Sequence, residues 1–121
     1  MKKYVLVLVL LFVAAALFGQ TINLGNFPVG RWLDHNYNAI WDFSTNNIRI
    51  LSTSGAVLYD FSDKSIQNFR VSMEGIQPSM SFTCPEAGRS YRFTSNLPGT
   101  DVTMGIQRQG LPDYSVQMRK Q

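Results

Sequence analysis

Apolar residues recur at every second position along most of this chain. In NAIWDFS they are Ala39, Trp41 and Phe43, and in SYRFTS they are Tyr91 and Phe93. Successive side chains of a β-strand point to opposite faces of the sheet, so this period places each apolar set on one face. No segment after residue 20 has the three-to-four-residue period of an amphipathic helix. The pattern therefore predicts half-buried β-strands throughout the domain.

Clusters of Gly, Pro, Asn, Asp and Ser separate the alternating segments. Eight segments carry the pattern: NAIWDFS, NIRIL, AVLYDF, NFRVSM, SMSFTC, SYRFTS, DVTMGIQ and DYSVQMRK. The turn clusters between them recur about every 8–13 residues, a spacing typical of all-β domains. With the segment around Trp32, this predicts eight or nine sequential strands joined by short turns.

A sheet with one polar, solvent-exposed face must bury its other, apolar face, by closing on itself or by stacking on a second sheet. Sandwiches need longer Greek-key crossovers, whereas every connection here is short enough for a hairpin. Closure also removes exposed sheet edges. The predicted fold is therefore an up-and-down antiparallel β-barrel of about eight strands, with a two-sheet sandwich as the alternative.

The first residues, MKKYVLVLVLLFVAAALFGQ, have the features of a secretory signal peptide. Lys2 and Lys3 precede an uncharged apolar run over residues 4–18. As a helix this run spans about 22 Å, short of the ~30 Å hydrocarbon core of a bilayer. We expect residues 1–20 to be removed and residues 21–121 to form one exported domain, periplasmic or secreted and not membrane-spanning. An uncleaved N-terminal anchor is the alternative.

Charge and chemistry-bearing residues exclude several functions. Two of the eleven Lys and Arg residues lie in the signal peptide, so the mature domain has nine basic residues and eight Asp and Glu residues. The mature domain therefore lacks the positive field of a nucleic-acid-binding protein. His35 and Cys84 are single and far apart, and no nucleophile motif or paired carboxylate occurs. We expect no enzyme, no metal and no cofactor, and Cys84 is either a buried thiol or a reactive one.

The FPVGRW stretch contains the Gly-x-Trp motif Gly30-Arg31-Trp32, just before the strand meander. A Gly-x-Trp at this position resembles the calycin superfamily, which includes lipocalins and small bacterial relatives. The resemblance implies a lipocalin-like barrel in which Trp32 closes the narrow end and a basic residue of the last strand packs across its ring. Arg119 is the matching candidate and Arg108 the alternative. Gly30 would let the backbone pass close to the ring.

The resemblance also implies functions. The first is a binding protein for a small hydrophobic ligand, and the second is a protein-interaction module such as a protease inhibitor. The inhibitor would use the TINLGNF segment, which begins at Thr21, ends at Phe27 and is free to extend. A third possibility is a structural, envelope-associated barrel with a filled core, whose polar face or loops contact a protein partner. The candidate ligand-lining residues face inward: Trp41, Phe43, Tyr59, Phe61, Phe69, Phe82, Tyr91, Phe93 and Met104.

Overall fold

The computed structural model describes residues 21–96 and 99–121 of the chain. These residues form nine antiparallel strands and two single-turn 3₁₀ helices, Phe61–Asp63 and Pro85–Ala87. The strands are β1 (Gly30–Asp34), β2 (Ala39–Ser44), β3 (Asn47–Ser52), β4 (Val57–Asp60), β5 (Gln67–Glu74), β6 (Gln77–Cys84), β7 (Arg89–Ser95), β8 (Val102–Arg108) and β9 (Tyr114–Lys120). The all-β, up-and-down prediction is confirmed, with nine strands where about eight were expected. The predicted signal peptide, residues 1–20, lies outside the described residues.

The nine strands form one sheet in the order β4-β3-β2-β1-β9-β8-β7-β6-β5. The first strand pairs with the last, as in a barrel: Trp32 is opposite Lys120 and Leu33 is opposite Arg119. The ring is not closed, however, because β4 and β5 are the two edges of the sheet. The expected closed barrel is therefore corrected to an open half-barrel.

The sheet curls tightly enough for strands far apart in its order to touch. Three strands separate β2 from β7, so in a flat sheet these two strands would lie about 19 Å apart. The Phe93 ring on β7 nevertheless lies 5.2 Å from the Trp41 ring and 5.1 Å from the Phe43 ring, both on β2. The inner face is thus wrapped around one aromatic core.

The connection between β4 and β5 explains why the ring stays open. It carries the Phe61–Asp63 turn, and the side chains of Phe61 and Ile66 are fully buried in the core. Both edges are irregular: β4 has a register shift opposite Ile50 and Leu51, and β5 has one near Asn68, whose φ is +56°. Bulges of this kind discourage pairing at an edge. Apolar side chains fill the gap where backbone hydrogen bonds would close a full barrel.

The TINLGNF segment does not extend freely, which corrects the expectation for it. Ile22, Leu24 and Phe27 are all buried in the core. The Leu24 amide donates to the carbonyl of Thr45 at 3.0 Å, and the Phe27 ring packs edge-on against Phe43 at 5.7 Å. The segment therefore covers one end of the half-barrel, which we call the closed end.

Trp32 lies beneath the same end. It is buried, and its Nε1 donates to the carbonyl of Thr100 at 2.7 Å. A Cβ added to Gly30, whose φ is +142°, would lie 3.3 Å from two carbons of the Trp32 ring. The basic group over the ring is Lys120, whose Nζ is 6.0 Å from the ring centre. Arg119, the expected residue, is exposed on the opposite face of β9, so this part of the prediction is wrong.

None of the helices in the described ranges is long and apolar enough to cross a membrane.

We expect Gly30→Ala to lower the free energy of unfolding by about 1–3 kcal/mol, because alanine must adopt a glycine-like φ while crowding Trp32. The matched control is Gly105→Ala on β8, where an added Cβ meets nothing within 4 Å and φ is not positive. Urea unfolding of both variants measures the difference. Equal stabilities for the two variants would contradict the close approach at Gly30.

We expect Leu24→Ala to cost about 2–5 kcal/mol, the usual effect of truncating a fully buried leucine. Thr21→Ala, an exposed position in the same segment, is the control and leaves stability unchanged. Thermal unfolding measures both. A Leu24 variant as stable as the Thr21 variant would mean that the segment is not part of the folded core.

Candidate functional site

The nine predicted ligand-lining residues all lie on the inner face, where they pack against one another. The centre of the Phe61 ring, for example, lies 5.7 Å from the ring centre of Trp41, 5.3 Å from that of Phe82 and 5.4 Å from that of Tyr91. Seven of the nine are buried, and Tyr59 and Phe69, on the edge strands, are partly buried. The middle of the half-barrel is therefore largely filled by its own side chains.

A cavity of about 280 Å³ lies at the other end of the half-barrel, which we call the mouth. Its floor is apolar and its rim is polar. Of the nine predicted residues, Trp41 and Met104 line it. The lining residues are Asp34, Tyr37, Ala39, Trp41, Ile50, Arg89, Met104, Ile106, Arg108 and Tyr114.

The polar rim follows from the same alternation that builds the core. Asp34 comes two residues after Trp32, Arg89 two before Tyr91, and Arg108 two after Ile106. Each therefore has the inward parity of its strand, at the last position before the mouth. The sequence-based prediction did not assign these residues to a ligand site, because it treated polar residues as belonging to the outer face. It named Arg108 only as the alternative basic residue over Trp32, a position that Lys120 occupies. Counting the parity to the end of each strand would have found them.

Asp34 is the one charged residue of the described chain that is buried, with 2% of its surface exposed. Both of its carboxylate oxygens accept from the Tyr114 hydroxyl at 2.9 Å, and one also accepts from the backbone N–H of Asn36 at 3.0 Å. Asn36 Nδ2 donates in turn to the Tyr114 hydroxyl at 2.9 Å. Burial raises the pKa of Tyr114, as does its hydrogen bond to Asp34, while Asn36 opposes the rise. The network fixes the β1–β2 turn against the start of β9.

Arg89 and Arg108 are directly opposite each other on β7 and β8. Arg108 donates from Nε and Nη2 to the carbonyl of Pro112, at 3.1 and 2.7 Å, and lies 5.8 Å from the centre of the Tyr114 ring. Burial raises the pKa of the Tyr91 hydroxyl, and the positive charge of the nearby Arg89 lowers it by a smaller amount. Both arginines thus line one side of the cavity, Arg108 half-buried and Arg89 exposed to solvent.

A second, larger concavity of about 510 Å³ lies on the outer face of β6–β9. It exists because small side chains, such as those of Ser81 and Ser90, lie close together there, and because Gly105 has no side chain. Apart from Tyr91, none of its polar side chains is buried. The mouth cavity, with an apolar floor and converging polar groups, fits a ligand site better than this open groove does.

The remaining candidate groups lie apart from the mouth. Cys84 is fully buried, 3.6 Å from the Tyr59 hydroxyl, and burial together with this contact raises the pKa of Tyr59 above its usual range. His35 is exposed in the β1–β2 turn. Within residues 21–96 and 99–121, no three His, Cys, Asp or Glu side chains come together as a metal site would require.

Comparisons of the chain with protein families, with curated proteins and with solved structures find no match. Membership of the calycin superfamily therefore stays a prediction, with which a curled antiparallel half-barrel is compatible.

We expect Tyr114→Phe to cost about 1–3 kcal/mol, because the buried Asp34 loses its hydroxyl donor. Tyr37→Phe is the control: Tyr37 packs its ring against Tyr114 at 5.3 Å, but it is 63% exposed, and its hydroxyl has no hydrogen-bond partner among the described residues. Chemical denaturation measures both. The network at the mouth would be unimportant if the two variants were equally stable.

Proposed function

We propose that this protein is an exported, lipocalin-like binding protein that takes a small hydrophobic ligand into the mouth of its half-barrel. The observation that carries the proposal is the mouth cavity, where apolar floor residues adjoin inward-facing polar groups. Ligand sites typically combine an apolar lining with a few converging polar groups that orient the ligand. The buried Asp34 network supports the proposal because it holds the rim in a defined geometry.

The size of the cavity limits the ligand. A volume of about 280 Å³ lies just below the ~300–1,000 Å³ of common ligand sites. The aromatic core below it is filled by Trp41, Phe61 and Phe93. The ligand is therefore a short molecule lying on Trp41 and Met104, rather than a long chain threaded through the interior.

Calycin membership is part of this proposal. Its support is local: Gly30 adjoins the ring of Trp32, a basic residue of the last strand lies over that ring, and the first strand pairs with the last. The inhibitor alternative loses support because the segment from Thr21 to Phe27 is packed into the closed end.

The two tryptophans provide the test, since Trp41 lines the mouth and Trp32 lies toward the closed end. We expect octan-1-ol to shift the indole N–H signal of Trp41 in ¹H–¹⁵N spectra and to leave that of Trp32 in place. Trp41→Phe assigns the two signals.

A cavity-filling variant makes the same test specific. Ala39→Leu places a larger side chain in the mouth cavity, and we expect it to weaken octan-1-ol binding about tenfold or more by occupying the ligand's volume. Ala56→Leu, at an exposed turn position, is the matched control and leaves binding unchanged. If octan-1-ol, octanoate and octylammonium all leave the Trp41 signal unmoved, the proposed function is wrong.

A further inference from the structure

We infer that the ligand is an anion, a short carboxylate whose apolar body lies on the cavity floor and whose carboxyl group binds between Arg89 and Arg108. The inference rests on the proposed function and names the chemical class of the ligand at the same site.

The pairing of β7 with β8 places two like charges opposite each other. Arg89 and Arg108 are cross-strand partners with the same inward parity. Like charges directly opposite each other destabilise a sheet, so the repulsion between these two residues costs the empty fold stability. An anion bound between the guanidinium groups replaces the repulsion with attraction to both.

Neither arginine forms an ion pair with an acidic side chain among the described residues. The ion pairs of the described residues are Arg31–Asp42, Arg49–Asp42, Lys64–Asp63 and Arg92–Glu74, and none includes Arg89 or Arg108. Arg108 donates two N–H groups to Pro112, which anchors the side chain and leaves its other donors for a ligand. A guanidinium fork matches a carboxylate in geometry and can bind it through two parallel hydrogen bonds.

Asp34 is the acidic group in the same cavity. Its oxygens already accept from the Tyr114 hydroxyl and the Asn36 amide, and it forms no ion pair among the described residues. The three charged groups of the cavity, two arginines and one aspartate, carry a net charge of +1. The cavity therefore favours an anion over a neutral or cationic molecule of the same shape.

Three probes with the same eight-carbon chain test the inference: octanoate, octan-1-ol and octylammonium. Isothermal titration calorimetry on the folded protein from residue 21 measures their dissociation constants. We expect octanoate to bind about tenfold or more tightly than octan-1-ol, because charge-assisted hydrogen bonds to the arginines are added to the same apolar contact. We expect octylammonium to bind most weakly.

Arginine variants locate the effect. Arg89→Gln is expected to bring the dissociation constant of octanoate close to that of octan-1-ol measured on the same variant. Arg108→Gln repeats the test from the other strand. Arg119→Gln, which removes one exposed positive charge on the outer face of β9, is the matched control and keeps the preference for octanoate. Thermal unfolding verifies that each variant is folded.

The outcomes separate the inference from the proposed function. If octanoate and octan-1-ol bind at the mouth equally well, or if Arg89→Gln behaves like Arg119→Gln, the anion site is wrong and the binding function stands. If octylammonium binds most tightly, Asp34 is the recognition group and the inference is overturned. If none of the probes binds, the proposed function itself fails.

Discussion

The packing of β2 against β7 is the contact on which the rest of this structure depends. The rings of Trp41 and Phe43 touch Phe93 across an interval of three intervening strands, and this contact is possible only in a strongly curled sheet. Large rings bury more apolar surface than any other side chains, so their burial drives the curl. Without it, the nine strands would form a flat sheet with an exposed apolar face.

Curling gives the half-barrel two ends, and different kinds of residue lie at each of them. The segment before β1 buries Ile22, Leu24 and Phe27 over the closed end, above Trp32. At the mouth, the last inward positions carry Asp34, Arg89 and Arg108 instead of apolar residues. Burying charged groups is costly unless they are paired or hydrogen-bonded, so the interior stays accessible there and a cavity remains. The two ends of the half-barrel therefore differ: apolar side chains cover the closed end, and charged side chains surround a cavity at the mouth.

The alternation of apolar residues was enough to predict the strands from β2 to β9 and the inward aromatic set, because period two is a local property of the chain. The open ring was not predictable in this way. It depends on a 3₁₀ turn that buries Phe61 and on a left-handed Asn68, neither of which has a pattern of its own. Lys120 replaces Arg119 over Trp32 because side-chain direction reverses with each residue, and Met118 and Lys120 share the inward parity. The mouth charges were missed for the same reason.

We propose that the mouth of the half-barrel is a ligand site and not a defect in a filled core. Native mass spectrometry of the protein from residue 21, purified gently and analysed together with an organic extract of the preparation, tests this claim most directly. The expected result is one small carboxylic acid bound per chain. A bare protein mass, unchanged after incubation with a lipid extract and with short-chain carboxylates, would contradict the claim and identify the half-barrel as a filled scaffold.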